Sequence, residues 1–352
     1  MVNSHVFRFG YSSALKCLFP AFDCTKEHRG LVRCGMTQGA ISRWSSPEVI
    51  LVATNLLEDR AFILQAVYQA RLSKATVLLV HVIPSSGRMT ETSISVSDLL
   101  SSRLARIARA KLHEMASDFR RVGVECESII LQGVPEEEIN LLVKSRSVER
   151  VIVAIRNTTG VARLIGASVA EELISGLDVP VCTIGRRMNP DAVRDTQPGR
   201  VLLATSLHTG SFLVAEFASA LAEVNDSRLI MLHVLETHGM STPQRDLTRM
   251  MAQDRMSALA ANPASHGACI VFKIRVGDPA TIILGEAGLV PQDLIILGSP
   301  QRSRVSWILG TSVVHRVVAE AKCPVITIKP TMAFASGRMH EQYDEERRLA
   351  HS

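Results

Sequence analysis

Aromatic side chains are scarce in this 352-residue chain, at 4% of the total. Its basic residues therefore lack interleaved rings on which bases would stack. The net charge of +5 is also small for the length, so no nucleic-acid partner is expected. The basic residues Arg103, Arg106, Arg109 and Lys111 read as one solvated helix face. No apolar run reaches the roughly 18 residues of a membrane span. The longest, such as ATVLLVHVI at 75–83, have the length of buried strands, so no membrane partner is expected either. C-x-x-C is absent, and the seven cysteines at 17, 24, 34, 126, 182, 269 and 323 are odd in number. The last four fall in apolar, strand-like segments. That fits buried thiols in a reducing compartment, and hence a cytoplasmic location, better than a disulfide framework. Also missing are a G-x-S-x-G elbow, an H-E-x-x-H pair and a G-x-G-x-x-G after the first strand. Hydrolase, zinc-peptidase and dinucleotide-oxidoreductase chemistry thus lack their parts. No catalytic residue and no metal ligand is assigned, and the balance leans against an enzyme.

What the chain does have is a repeat. GVPEEEINLL at 133–142 matches GDPATIILGE at 277–286, 144 residues later. The same spacing, without a gap, carries Glu149 onto Asp293, Gly166 onto Gly310 and Ser168-Val169 onto Ser312-Val313. It also carries Pro180-Val181 onto Pro324-Val325 and Thr183-Ile184 onto Thr327-Ile328. Nearer the start of each half, VILVAT at 49–54 resembles RVLLAT at 200–205, and LLVHV at 78–82 resembles IMLHV at 230–234. The spacing there is 151 to 152, and the difference belongs to the loop after the second strand.

In the first half, β-branched runs fall near 48–54, 76–83, 125–132, 150–155 and 180–184. They are continuous instead of alternating, as strands covered on both faces should be. Between them lie helical patterns, the clearest over 97–121, where Leu100, Leu104, Ile107, Ala108, Met115 and Phe119 form one stripe. Pro135 and Pro279 suit a first helical turn, and Glu136 to Glu138 suit a helix N-terminus. Strands alternating with helices predict an α/β fold of two tandem doubly wound domains, each a five-stranded parallel sheet flanked by about four helices. The domains are expected over 45–190 and 199–332, with a linker at 191–198 and a polar tail at 333–352. Residues 1–44 read as an N-terminal extension, disordered or produced by an over-long gene start, with Met36 the candidate true start.

Both halves resemble the universal stress protein domain, over about 48–186 and 199–330. The first carries VAT, LLVHV, GVP, Ser168-Val169 and VPVCTI; the second carries LAT, MLHV, GDP, LGSP, Ser312-Val313 and KCPVITI. The order and spacing are specific where any one motif would be weak. The resemblance implies the five-stranded parallel sheet and a habit of dimerising. A tandem chain would then be an intramolecular pseudo-dimer, pairing near 180–184 and 324–328, and homodimers of the chain are a further expectation. Family members divide into those that bind ATP and those that do not, and a G-x2-G-x9-G-[ST] loop after the fourth strand decides.

The loop glycines serve positive φ and close backbone approach to phosphate, and the final Gly-Ser opens a helix whose N-terminus favours anions. With Ser312 matched to the family's Ser, the glycine positions hold Gly298, Gln301 and Thr311, and only the first survives. In the first half they hold Ala154, Asn157 and Ala167. Pro300 has no N–H to donate and restricts Ser299 to extended conformations. The family's Asp after the first strand is replaced by Asn55 and Ser206. Against this, Gly166 and Gly310 coincide one residue early, and Arg156, Arg302 and Arg304 could supply charge.

The preferred reading is a non-catalytic stress-response protein that works through protein–protein contacts and carries no cofactor. The alternative is an ATP sensor or weak ATPase with the nucleotide in the second half. Its candidate residues are Thr205, Ser206, Val234, Gly298, Ser299, Gln301, Gly310, Thr311, Ser312 and Val313. The weaker first-half set is Thr54, Asn55, Val82, Arg156, Asn157, Gly166 and Ser168. His81 and His233 coincide between the repeats but lack partners at ligand spacing, so they read as structural, and Cys323 reads as a buried thiol.

Overall fold

A computed structural model describes residues 35–58, 60–84, 94–155, 169–185, 187–188, 199–208, 210–237, 239–261, 269–287, 293–299 and 312–329. The first half runs α1 (Gly35–Ser45), β1 (Val49–Ala53), α2 (Arg60–Ser73), β2 (Thr76–Pro84), α3 (Ile94–Arg121) and β3 (Cys126–Gly133). It continues through α4 (Pro135–Ser145), β4 (Arg150–Ala154), α5 (Val169–Gly176) and β5 (Val181–Ile184). The second runs β6 (Arg200–Ala204), α6 (Ser211–Val224), β7 (Arg228–Leu235), α7 (Thr242–Ala260) and β8 (Ile270–Val276). It ends with α8 (Pro279–Ala287), β9 (Asp293–Gly298), α9 (Val313–Glu320) and β10 (Val325–Ile328). The α/β alternation is the expected one.

The strands form one ten-stranded sheet in the order β3-β2-β1-β4-β5-β10-β9-β6-β7-β8. Within each half every pairing is parallel, and the single antiparallel pairing joins β5 to β10. There Ile326 lies opposite Cys182, flanked by Val325 with Thr183 and Thr327 with Val181. The Thr183 hydroxyl donates to the Val325 carbonyl at 3.1 Å, and the Thr327 hydroxyl donates to the Val181 carbonyl at 3.2 Å. Two buried hydroxyls are thereby satisfied by each other's strand.

Successive strand residues point to opposite faces, and helices cover both. Ile50, Val52, Phe62, Leu112, Phe119, Phe217, Leu221, Ile296 and Ile326 belong to one core layer. Leu51, Val153, Ile139, Leu173, Leu202, Ile283, Val317 and Val325 belong to the other. Each layer draws on both halves, so the core passes unbroken through the β5–β10 seam. At roughly 1.5–3 kcal/mol per fully buried aliphatic side chain, these layers dominate the stabilisation of the fold.

Helix α1 falls within the stretch expected as an extension. Ile41 is 3% exposed, and the helix packs against α6 of the second half. The Trp44 carbonyl accepts a hydrogen bond from Arg150 Nη2 at 2.6 Å, and Arg43 lies 3.8 Å from Glu149. The folded unit therefore begins before residue 45, because this helix packs on the second half and is tied to the first through Trp44 and Arg43. Arg150 itself is fully buried and gives Nη1 to the Gln69 side chain at 2.9 Å. Burial lowers its pKa to about 10. The expected linker, the tail and residues 1–34 lie outside the described residues.

Candidate functional site

In a doubly wound sheet the ligand crevice opens at the carboxyl ends of the strands, where the strand order reverses. Here that is between β1 and β4 and again between β6 and β9. Ala53 pairs with Val153 and Ala204 with Leu297, so the next residues, Thr54 and Ala154 or Thr205 and Gly298, flank the two crevices.

Both β-strand ends are built alike. The N–H of Thr54 and of Thr205 still belongs to the sheet, donating to Val80 and Leu232 carbonyls at 2.9 Å each. Each threonine hydroxyl then accepts an N–H two residues on, from Leu56 at 2.9 Å and Leu207 at 3.1 Å. That closes a tight turn in which Leu56 and Leu207 sit in the left-handed region, at φ 67° and 60°. Leucine pays roughly 1–2 kcal/mol for that conformation. The strain recurs in both halves, at the mouth of the crevice, which marks the turn as a retained device. His81 and His233 complete it, each placing Nδ1 2.8 Å from the carbonyl of Thr54 or Thr205. An acceptor carbonyl requires the Nδ1–H tautomer, so both rings serve as latches between neighbouring strands. Val82 and Val234 follow them on the opposite face of the strand.

The halves differ in what fills this mouth. In the first, the Glu58 carboxylate accepts from the Thr54 hydroxyl, from the Asn55 N–H at 2.6 Å and from the Leu57 N–H at 3.2 Å. The Asn55 side chain is engaged too, accepting the Leu57 N–H at 2.9 Å. The first-half donors are thus taken by an internal anion. At the matching sequence position, 151 residues on, the second half has Thr209, which carries no charge and lies outside the described residues. Thr205 is 9% exposed there, and Ser206 is exposed.

Beyond β9, Gly298 has no positive φ, and a Cβ built on it meets only Val214 Cγ2 at 3.5 Å. The expectation that this glycine supplies left-handed backbone is therefore corrected: Gly298 is the last residue of a strand, paired with Ile328, and Ala154 fills the same place in the first half. The Ser299 N–H donates to the Ile328 carbonyl at 2.7 Å, as Ile155 does to Ile184 at 3.0 Å, so neither is left for a phosphate. Ser312 is the N-cap of α9, with φ −72° and ψ 133°, and its hydroxyl makes no capping bond. Val313 opens the helix. Arg156, Asn157, Gly166, Ser168, Gln301, Gly310 and Thr311 lie outside the described residues.

Glycine is obligatory elsewhere. Gly133 and Gly277, in the G-x-P of each repeat, have φ 157° and 145°. Cys126, Cys182 and Cys323 are buried, and burial pushes the thiols of Cys182 and Cys323 up to about 12 and that of Cys126 up to about 11, which favours the unreactive protonated form. Sequence reasoning missed Glu58 and the strained leucines. The shared T-x-L of VATNL and LATSL was their only signal, and it announces neither a carboxylate four residues past Thr54 nor a left-handed leucine.

A sequence profile of the universal stress protein family matches residues 47–184 and 198–329. The universal stress protein MJ0577 of Methanocaldococcus jannaschii is 24% identical over 153 residues, spanning 39% of this chain and 94% of its own length. Among solved structures, a universal stress protein from Archaeoglobus fulgidus superposes with a TM-score of 0.60 at 21% identity, covering 80% of this chain and 96% of that one. A functionally unknown protein from Pseudomonas aeruginosa PAO1 superposes at 0.53 and 14% identity, covering 82% of this chain and 95% of that one. At these identities the structural likeness speaks for the fold alone. Among the described residues, no helix is long and apolar enough to cross a membrane.

Proposed function

The chain belongs to the universal stress protein family through both of its halves, and we propose that it is a cytoplasmic, non-catalytic stress-response protein acting through protein–protein contacts. Its halves serve as a dimer folded within one chain. The observation that carries this reading is Glu58. Its carboxylate takes the hydroxyl and N–H donors at the mouth of the first crevice. A triphosphate brought there would meet a fixed negative charge in place of donors. The sequence departures in the loop after β9 argue the same for the second half, where one family glycine of three remains.

A second reading has one observation in its favour. The second-half sequence has Thr209 where the first has Glu58, and Ser312 opens α9 with an uncommitted capping hydroxyl. ATP would then sit between Thr205, Ser206 and the N-terminus of α9, at one nucleotide per chain. Isothermal titration of the whole protein with Mg-ATP separates the readings. The expected result is no detectable heat up to millimolar nucleotide, with folding verified by circular dichroism. Micromolar binding that Ser312→Ala abolishes would establish the second reading and overturn the first.

A further inference from the structure

Among the described residues, two ion pairs and one histidine–carboxylate contact, ionic only while the ring is protonated, cross from one half to the other. Glu171 on α5 lies 3.7 Å from His315 on α9. Asp178, between α5 and β5, lies 3.1 Å from Lys329 beyond β10. Arg187, beyond β5, lies 3.5 Å from Glu320 at the end of α9. The repeat spacing of 144 tells what each partner would meet if a half paired with its own kind in the same geometry. Positions 171 and 315 are equivalent, so two first halves would oppose Glu171 to Glu171, and two second halves would oppose His315 to His315. The equivalent of Asp178 is Lys322, so two second halves would bring Lys322 to Lys329. The equivalent of Lys329 is Gly185, so two first halves would leave Asp178 facing a glycine. Arg187 would face Gly176, and Glu320 would face Thr331. The next position also differs in sign, Glu172 against Arg316, although Arg316 is engaged by Asp278 of its own half. Along this helix the first half is acidic wherever the second is basic.

We propose that the β5–β10 seam is selective by charge, accepting a first half against a second half and rejecting either half against itself. The partner this surface fits is the complementary half, from the same chain or from a second copy. The Asp178–Lys329 and Arg187–Glu320 pairs are largely solvent-exposed and each contributes little to stability alone, whereas Glu171 and His315 are half-buried. The selectivity lies in the alternative, where like charges or an unpaired charge would stand on an otherwise apolar strand pairing. The main-chain ladder and the Thr183 and Thr327 bonds do not discriminate, because positions 181, 183 and 184 hold the same residues as 325, 327 and 328. The charges can do so, beside the unlike Cys182 and Ile326 pair and the close approach of Gly185 to the Ala321 carbonyl.

The test is a charge exchange in the full chain. Glu171→Lys with Asp178→Lys takes the carboxylate away from His315 and brings a like charge to Lys329, and should lower Tm by about 2–4 °C at low salt. His315→Glu with Lys329→Asp should do the same. All four substitutions together should recover most of the loss, and the differences should shrink in about 1 M salt. If a two-substitution variant does not fold, recovery of folding in the four-substitution chain is the same result. A four-substitution chain no more stable than the two-substitution chains, or losses unchanged by salt, would overturn the proposal.

Discussion

Glycine does different work at Gly298 and at Gly277, although a family pattern marks both. Gly298 ends a strand with ordinary φ and open space, and its counterpart is already Ala154. Gly298→Ala should therefore leave the folding free energy unchanged or raise it slightly, since alanine restricts the unfolded chain. Gly277 holds φ 145°, a conformation closed to L side chains. Gly277→Ala should cost about 1–3 kcal/mol, read from urea unfolding of the two variants side by side. Sequence alone ranks the two glycines the other way, because a phosphate-loop motif draws attention to Gly298 while the G-x-P turn passes as punctuation. Backbone dihedrals have no signature in residue type except at the glycines that need them, and Leu56 and Leu207 show that even this rule has gaps.

Strands and helices were the most legible level. The runs at 76–83, 150–155 and 180–184 match β2, β4 and β5 to within about one residue, because parallel strands buried on both faces write themselves as unbroken β-branched runs. The stripe over 97–121 marks most of α3. Helix α1 was not legible, since GMTQGAISRWS mixes small and polar residues without a period, and its burial is supplied by α6. One tie between elements makes a pH prediction. The Asp278 carboxylate, at the start of α8, accepts from the Thr281 hydroxyl at 2.6 Å and its N–H at 2.9 Å, and from Arg316 of α9 at 2.9 Å. These bonds, the Thr281 hydroxyl foremost, hold its pKa at about 2 against an ordinary 3.8. A depressed carboxyl contributes above its unfolded value and loses that contribution as pH falls through the folded one. The stability advantage of the native protein over Asp278→Asn should be full at neutral pH and drain away between pH 3.8 and about 2. Chemical denaturation across that range checks it, and an advantage that persists at the acid end would show the bonds to be idle.

The whole molecule is one sheet with cores that continue through its middle, so heat should unfold it in a single calorimetric transition. Helix α1 reaches both halves, packing on α6 of the second and joining Trp44 and Arg43 to Arg150 and Glu149 of the first. Ile41→Ala should lower that transition as a unit, by about 2–4 kcal/mol. Two separated calorimetric peaks would mean that the halves fold independently and that α1 does not tie them. The sequence repeat foretold two alike domains, and the resemblance to the universal stress protein domain implied that they meet near 180–184 and 324–328. It did not foretell which charges would face one another, because a repeat aligns equivalent positions and only a symmetry axis sets them opposite. That axis also fixes an orientation. With β5 and β10 antiparallel, every strand of one half runs counter to every strand of the other. The crevice beyond β1 and β4 therefore opens toward one end of the molecule, and the crevice beyond β6 and β9 toward the opposite end. The two mouths face apart across the sheet, so they cannot close together on a single small guest.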